Sequence, residues 1–393
     1  MRLVFEGREL EVGPAPLSDA RVFAEGHNRP DTVAVILGAM ESGAELVLQN
    51  ARLTQAERAA QAQSIAAVPP AGEPALVLFT SGTTGAPKAA RLARDNLEAN
   101  ARAANEVLQV EARSRFLCVL PLFHVGGLGI LFRCRLAGAT MLLHERFDAD
   151  AVARDLRDGA THASLVASAL ARVLDQGAAF PPVIVAVGGG PVPQPLLDRA
   201  RRAGLRVLQT WGMTETCSMI TCERPAYADG ATAGPPLPGF EVRVGSDSEI
   251  AVRGPALMRG YLGQEPLGRG FFKTGDLGEL DVRGRLVVHS RRADLIVSGG
   301  ENVYPAEVEA ALLSHPAVRE AAVLPAPDEK WGQVGVAYVV TSAGDGELRE
   351  FLRGRIAAYK VPARFVHLPG LPRNAGGKVD RIRLESSISP ARP

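Results

Sequence analysis

Cysteine, lysine, aromatic residues and net charge are all scarce in this chain of 393 residues. The four cysteines, Cys118, Cys134, Cys217 and Cys222, show no CxxC spacing and no histidines at zinc-finger distances. That excludes a disulfide framework and a Cys/His metal site, and reduced, buried thiols are expected. A net charge of +1 lacks the basic excess of a duplex-coating protein, so no nucleic acid partner is expected. No apolar run reaches the length of about 18 residues that a membrane span requires. The N-terminal segment MRLVFEGREL has no apolar stretch after its first arginine, so no secretory leader and a cytoplasmic setting are expected. Only five lysines stand against 39 arginines. Each lysine draws notice, because a compact ammonium and a planar guanidinium are not interchangeable at a phosphate.

What is present fits a globular chain: 46% hydrophobic and 22% charged residues, enough for two or three domains at roughly 100–200 residues each. Residues 1–73 are weakly patterned, with an apolar run at Thr32–Met40 and an Ala/Gln-rich helical stretch at 53–67. A Pro-rich linker follows at 68–74. Ala75–Thr80 (ALVLFT) reads as a buried strand, and a long helix is expected from about 89 to 108. Strands at 116–120, 140–143, 162–166, 183–187 and 205–209 then alternate with helices at 149–158, 168–176 and 194–203. Such alternation predicts α/β architecture with helix-covered sheets. Residues 232–290 are rich in Gly, Pro and short β-like pieces, which predicts a small β-barrel or β-subdomain. From 294 onward the pattern changes to α+β, with helices at 305–313 and 347–357 and strands at 319–324, 334–340 and 364–367. The expected division is a large N-terminal domain, 1–292, and a small mobile C-terminal domain, 293–393.

The strongest local signal is Thr80-Ser-Gly-Thr-Thr-Gly-Ala-Pro-Lys88. Glycines allow backbone N–H groups to face an anion, and hydroxyls add donors. Lys88 adds charge, and a helix starting just after it would add its dipole. The spacing is not that of a Walker A loop, which requires Gly-Lys-Ser/Thr. An ordinary flexible Gly/Ser loop is the bland alternative.

With this segment the chain resembles the AMP-forming acyl-CoA synthetases, a superfamily of adenylating enzymes. The resemblance continues in order through PLFHVGGLGILFR (121–133), VGGGPVP (187–193), QTWGMTETCS (209–218), KTGDLGELD (273–281), SRRADLIVSGGENVYPAEVE (290–309) and LPRNAGGKVDR (371–381). Within that superfamily the GGGPVP, GMTETCS and SGGENVYPAEVE segments are most similar to the o-succinylbenzoate–CoA ligases of menaquinone synthesis.

The resemblance implies a ligase with ATP, Mg²⁺ and coenzyme A as co-substrates. A carboxylate first takes AMP from ATP, releasing pyrophosphate, and CoA then displaces AMP. It implies that Thr80, Ser81, Gly82, Thr83, Thr84, Gly85 and Lys88 cradle phosphates. Gly188, Gly189 and Gly190 let backbone approach adenine, with Trp211, Gly212, Met213 and Thr214 nearby. Glu215 would hold Mg²⁺, and Asp276 and Arg291 would take the ribose. His124 would sit beside the acyl carboxylate, and Lys378 would bridge carboxylate and α-phosphate during adenylation. Gly299 and Gly300 would line the thiol tunnel after the C-terminal domain reorients about a hinge at Ala293. Arg133 is a candidate for a second carboxylate on the substrate.

The chain departs from the family pattern in three places. The family usually carries Tyr where Trp211 stands, and often an acidic residue where Ala293 stands. Fewer residues precede the phosphate loop than is usual in the family, which leaves a homodimer open. Three other readings remain: a ligase for another aryl or medium-chain acid, an idle adenylate-binding homologue, and a plain ATPase.

Overall fold

The computed structural model describes residues 1–80, 87–177, 179–291, 294–298, 301–328, 331–374 and 378–386. An eight-stranded sheet runs in the order Ser218–Cys222, Arg206–Met213, Ile184–Val187, His162–Leu165, Arg115–Cys118, Thr140–Leu143, Arg2–Phe5, Arg8–Glu11. Its six inner strands are parallel and its two edge strands antiparallel. The inner strands are almost continuously apolar, as strands buried on both faces must be. Helices Ala149–Arg157, Ala167–Leu174 and Gln194–Arg202 follow in the predicted places. Their apolar residues close a core with Leu117, Val185 and Val207. Helices Arg94–Leu108 and Val125–Ala137 pack into a larger core with Phe116, Cys118 and Met141. Among the described residues, no helix is long and apolar enough to cross a membrane.

A five-stranded sheet has the order Gly260–Tyr261, Lys88–Ala93, Ala75–Thr80, Glu45–Gln49, Arg21–Glu25. Here the structure corrects the expectation of a helix from residue 89. Lys88–Ala93 is a strand, paired antiparallel with Ala75–Thr80 so that Thr80 lies opposite Lys88. The helix begins only at Arg94, where the Asn96 side chain accepts from the Ala93 N–H at 3.2 Å. Alanine-rich KAARLA favours helix locally, but its apolar residues are buried by pairing with ALVLFT, and that tertiary gain overrides propensity. Lys88 therefore starts a strand, and no helix dipole acts beside it.

The Gly/Pro-rich region forms an antiparallel sheet ordered Glu241–Val244, Glu249–Arg253, Phe272–Leu280, Leu286–Arg291. It is open: its two outer strands do not pair among the described residues, whereas a small barrel was expected. The segment that could have extended it, Gly260–Tyr261, leaves to join the Lys88–Ala93 strand instead. The last sheet orders Glu301–Val303, Ile296–Ser298, Gly332–Thr341 and Val318–Asp328, with Arg364–His367 parallel to Gly332–Thr341. Its two faces bury separate clusters, both built wholly from residues after 294. The hinge candidate Ala293 lies outside the described residues.

The sheet carrying Lys88 is locked by a buried carboxylate. Glu45 is fully buried and accepts from Arg21 Nε at 2.6 Å and Arg91 Nε at 2.8 Å. Removing one member of a buried ion network strands the remaining charges. Glu45→Ala is therefore expected to lower stability by about 3 kcal/mol, measured as a shifted urea midpoint at constant slope.

Candidate active site

A cavity of about 960 Å³ opens at the carboxyl ends of the parallel strands, where the loops of an open α/β sheet gather. Each wall comes from a different element. Leu165 and Val166 follow the His162–Leu165 strand. Gly188 and Gly189 follow Ile184–Val187. Thr210, Gly212, Met213, Thr214 and Glu215 come from the long strand Arg206–Met213 and the turn after it. Pro121, Phe123 and His124 lead into helix Val125–Ala137. Thr80 and Lys88 enter from the neighbouring sheet, and Asn374 and Lys378 from the C-terminal region. Of the charged groups lining the cavity, Lys88, Arg133, Lys273 and Lys378 outnumber Glu215 and Glu249. Such a lining draws a polyanion.

Two tight backbone approaches explain the glycines. A methyl group on Gly188 would fall 2.5 Å from Thr210 Oγ1, and one on Gly212 would fall 2.0 Å from the Ser218 carbonyl oxygen. Gly189 has φ of +82°, and a methyl group there would sit 3.6 Å from Lys378 Cε. The lysine thus reaches the triple-glycine turn despite lying nearly two hundred residues away. Gly190 does not line the cavity.

Glu215 is 7% exposed and accepts a hydrogen bond from the Tyr261 hydroxyl at 2.6 Å. The Thr80 hydroxyl donates to the Lys88 carbonyl at 3.3 Å, closing the ends of the two paired strands. Asp276 is buried on the Phe272–Leu280 strand and accepts from the indole N–H of Trp211 at 2.8 Å. Trp211 is packed in the main core and does not line the cavity. Its indole N–H is spent on Asp276. Arg291 pairs with Asp276 along the backbone, and its side chain lies outside the described part. Ser81, Gly82, Thr83, Thr84, Gly85, Gly299 and Gly300 also lie outside the described residues.

The deep end of the cavity is unlike the rest. Arg133 is buried to 1% exposure. It donates to Ser218 Oγ at 3.2 Å, and its Nε has no hydrogen-bond partner among the described residues. No carboxylate among the described residues forms an ion pair with it. Burial lowers the guanidinium pKa to about 10, so it remains a cation at neutral pH. Nearby, the Ser164 hydroxyl is buried with no partner among the described residues. Ser218 is held at φ of 143° and Cys217 at 59°, conformations that cost a side-chain-bearing residue about 1–3 kcal/mol each. That strain aims the serine hydroxyl at Arg133. Arg135, two residues further along the same helix, pairs with Glu41 at 3.1 Å. Burial pushes the Cys118 thiol up to about 12 and also raises Cys134, Cys217 and Cys222. All four are inert thiols, as expected.

Among the lining residues that sequence reasoning did not single out are Tyr261, Ser164 and Ser218. Ser218 stood inside a quoted motif. Tyr261 had no such signal, since it meets Lys88 and Glu215 only through the fold.

Residues 60–262 match the AMP-binding enzyme family, and residues 307–378 match the AMP-binding enzyme C-terminal domain. The chain is 43% identical over 331 residues to the 2-succinylbenzoate–CoA ligase of Bacillus licheniformis, covering 79% of this chain and 69% of that one. Among solved structures, it resembles o-succinylbenzoate CoA synthetase from Bacillus subtilis in complex with its acyl-adenylate intermediate. The TM-score is 0.86 at 33% identity, covering 98% of this chain and 94% of that one. The same Bacillus subtilis protein in complex with ATP and magnesium ion matches with a TM-score of 0.85 at 32% identity, covering 98% and 96%.

His124 caps helix Val125–Ala137 with its ring against Phe123, centroids 4.6 Å apart. His124 is solvent-exposed, yet desolvation by the cleft walls, then Lys378 and Arg52, lowers its pKa toward about 4. The unfolded imidazole, near 6.5, binds a proton first as pH falls. His124 therefore costs no stability above pH 6.5 and removes stability progressively as pH drops toward 4. The NMR signal of His124, assigned with a His124→Ala variant, is expected to stay that of neutral imidazole at pH 5.5 and to titrate near pH 4.

Proposed function

The chain belongs to the AMP-binding enzyme family, and from that footing we propose that it is an ATP-dependent, AMP-forming ligase joining o-succinylbenzoate to coenzyme A. The reaction is a step of menaquinone biosynthesis and needs only the cytoplasmic pools of ATP and CoA. A carboxylate does not react with a thiol, because oxide would have to leave. Attack of the carboxylate oxygen on the ATP α-phosphorus expels pyrophosphate and forms a mixed anhydride. The CoA thiol then adds to the acyl carbon, loses its proton and releases AMP.

The observation that carries the choice of acid is Arg133. A buried guanidinium with no ion-paired carboxylate among the described residues costs several kcal/mol in desolvation. A substrate with a second carboxylate, left untouched while the first is activated, supplies the missing partner. Ser218 and Ser164 add two hydroxyls to the lining, and Leu165, Val166 and Met219 offer apolar walls for an aromatic ring.

Lys88 lines the cavity over the Tyr261 ring and Lys378 beside Gly189, which suits one to the departing phosphates and the other to the carboxylate and α-phosphate. A cation placed where charge develops in the transition state accelerates the step. Asp276, held by the Trp211 indole, is suited to the ribose hydroxyls. Glu215 supplies a carboxylate to the cavity lining. Among the described residues there is no cluster of three or more acidic, His or Cys ligands. That donor set fits Mg²⁺, which takes one or two carboxylates plus phosphate oxygens. The ion, when bound, would neutralise charge on the phosphates. Neutral His124, beside Lys378, shapes the carboxylate end without adding a further charge.

Pyrophosphate release over a panel of acids with ATP, Mg²⁺ and CoA tests the reading. Release with o-succinylbenzoate is expected, and release only with monocarboxylic aryl or medium-chain acids would reject it. In Arg133→Leu, KM for the dicarboxylate should rise by at least about 100-fold, while an analogue lacking the second carboxylate is little affected. Lys378→Ala should slow adenylate formation by about 100-fold or more and leave thioester formation from supplied acyl-adenylate largely unchanged. Equal loss in both steps would contradict its assigned role.

A further inference from the structure

Tyr261 connects the two charged groups that flank the nucleotide end of the cavity. Its hydroxyl donates to Glu215 Oε1 at 2.6 Å, the short length of a charge-assisted bond. The Lys88 ammonium stands over the face of the same ring, 5.1 Å from its centroid, within cation–π range. The segment carrying Tyr261 is tied to both neighbours by backbone as well. The Met258 N–H donates to the Glu215 carbonyl at 2.9 Å, and the Leu262 N–H donates to the Ala89 carbonyl at 2.8 Å. Tyr261 itself pairs with Ala90. Gly260, at φ of +136°, takes a backbone conformation that a side chain would resist, and so lets the strand turn in to this position.

We propose that Tyr261 is a positioning residue for the metal–nucleotide complex. Its hydroxyl fixes one oxygen of Glu215, so that the carboxylate is already oriented toward the cavity when the metal arrives. Its ring gives Lys88 a resting face on the cavity wall, so that less freedom is lost when the ammonium meets phosphate. Groups ordered before binding do not have to be ordered by it. This rests on the reading of Glu215 as the metal carboxylate and of Lys88 as a phosphate-binding cation.

The two contacts can be separated. Tyr261→Phe removes the hydroxyl and keeps the ring; Tyr261→Leu removes both. The readout is Mn²⁺ binding, followed by EPR, to the full-length protein with α,β-methylene-ATP, a nucleotide whose AMP group cannot be transferred. The affinity of the same nucleotide in EDTA is measured alongside by calorimetry. Tyr261→Phe is expected to weaken Mn²⁺ by about tenfold with metal-free nucleotide affinity unchanged, and Tyr261→Leu to weaken both. Glu215→Gln serves as the reference for the metal site and should lose Mn²⁺ most strongly. If Glu215→Gln loses Mn²⁺ while Tyr261→Phe binds it like the unaltered protein, this inference alone is overturned. Equal losses of Mn²⁺ and metal-free nucleotide in Tyr261→Phe would mark a merely structural residue and overturn it too. Unchanged Mn²⁺ binding in Glu215→Gln would remove the metal assignment, and the inference with it.

Discussion

The antiparallel pairing of Ala75–Thr80 with Lys88–Ala93 is the constraint on which the nucleotide end of the cavity depends. It sets Thr80 opposite Lys88 and gives Gly260–Tyr261 an edge to join. Through that edge strand it places a tyrosine against Glu215, which sits in the turn after a strand of a different sheet. The pairing is deeply buried, and the Glu45 network that ties Arg21 and Arg91 together crosses three strands of the same sheet. Lys88 is therefore carried by a paired strand.

The cavity divides by chemistry along its length. At one end, lysines, a carboxylate and close-approaching backbone suit a charged nucleotide. At the other, a buried guanidinium sits in apolar surroundings with two serine hydroxyls. Keeping an uncompensated cation in a core is costly, and the strained backbone at Cys217 and Ser218 adds to that cost. Both are understandable as stability given up to hold a recognition group in place. Trp211 makes a similar trade in reverse. Its large ring is absorbed into the core, and only its N–H acts, by orienting a buried aspartate.

Much of the architecture was legible along the chain. Thr140–Leu143, Ala75–Thr80, Pro305–Leu313 and Arg364–His367 stand where their apolar patterns predicted, because short buried strands and capped helices are local signals. The N-terminal strands were not legible: Arg2–Phe5 and Arg21–Glu25 are short, polar on one face and stabilised by partners far along the chain. KAARLA was misread as helix for the same reason, since its pairing with ALVLFT outweighs what alanine prefers alone. The barrel or β-subdomain expected near residues 232–290 is a four-stranded open sheet among the described residues, and Gly260–Tyr261 pairs with a different sheet.

By itself the sequence determined the order of motifs, the kind of chemistry they support and the scarcity of lysine that made Lys88 and Lys378 conspicuous. Those properties depend on residue type and spacing within a few positions. Only the tertiary structure decided that Arg133 is buried with no ion-paired carboxylate among the described residues, that Trp211 serves Asp276, and that Tyr261 spans Lys88 and Glu215. Each of these joins residues separated by dozens of positions or more. Burial, strand register and charge pairing across such distances exist only once the sheets are assembled.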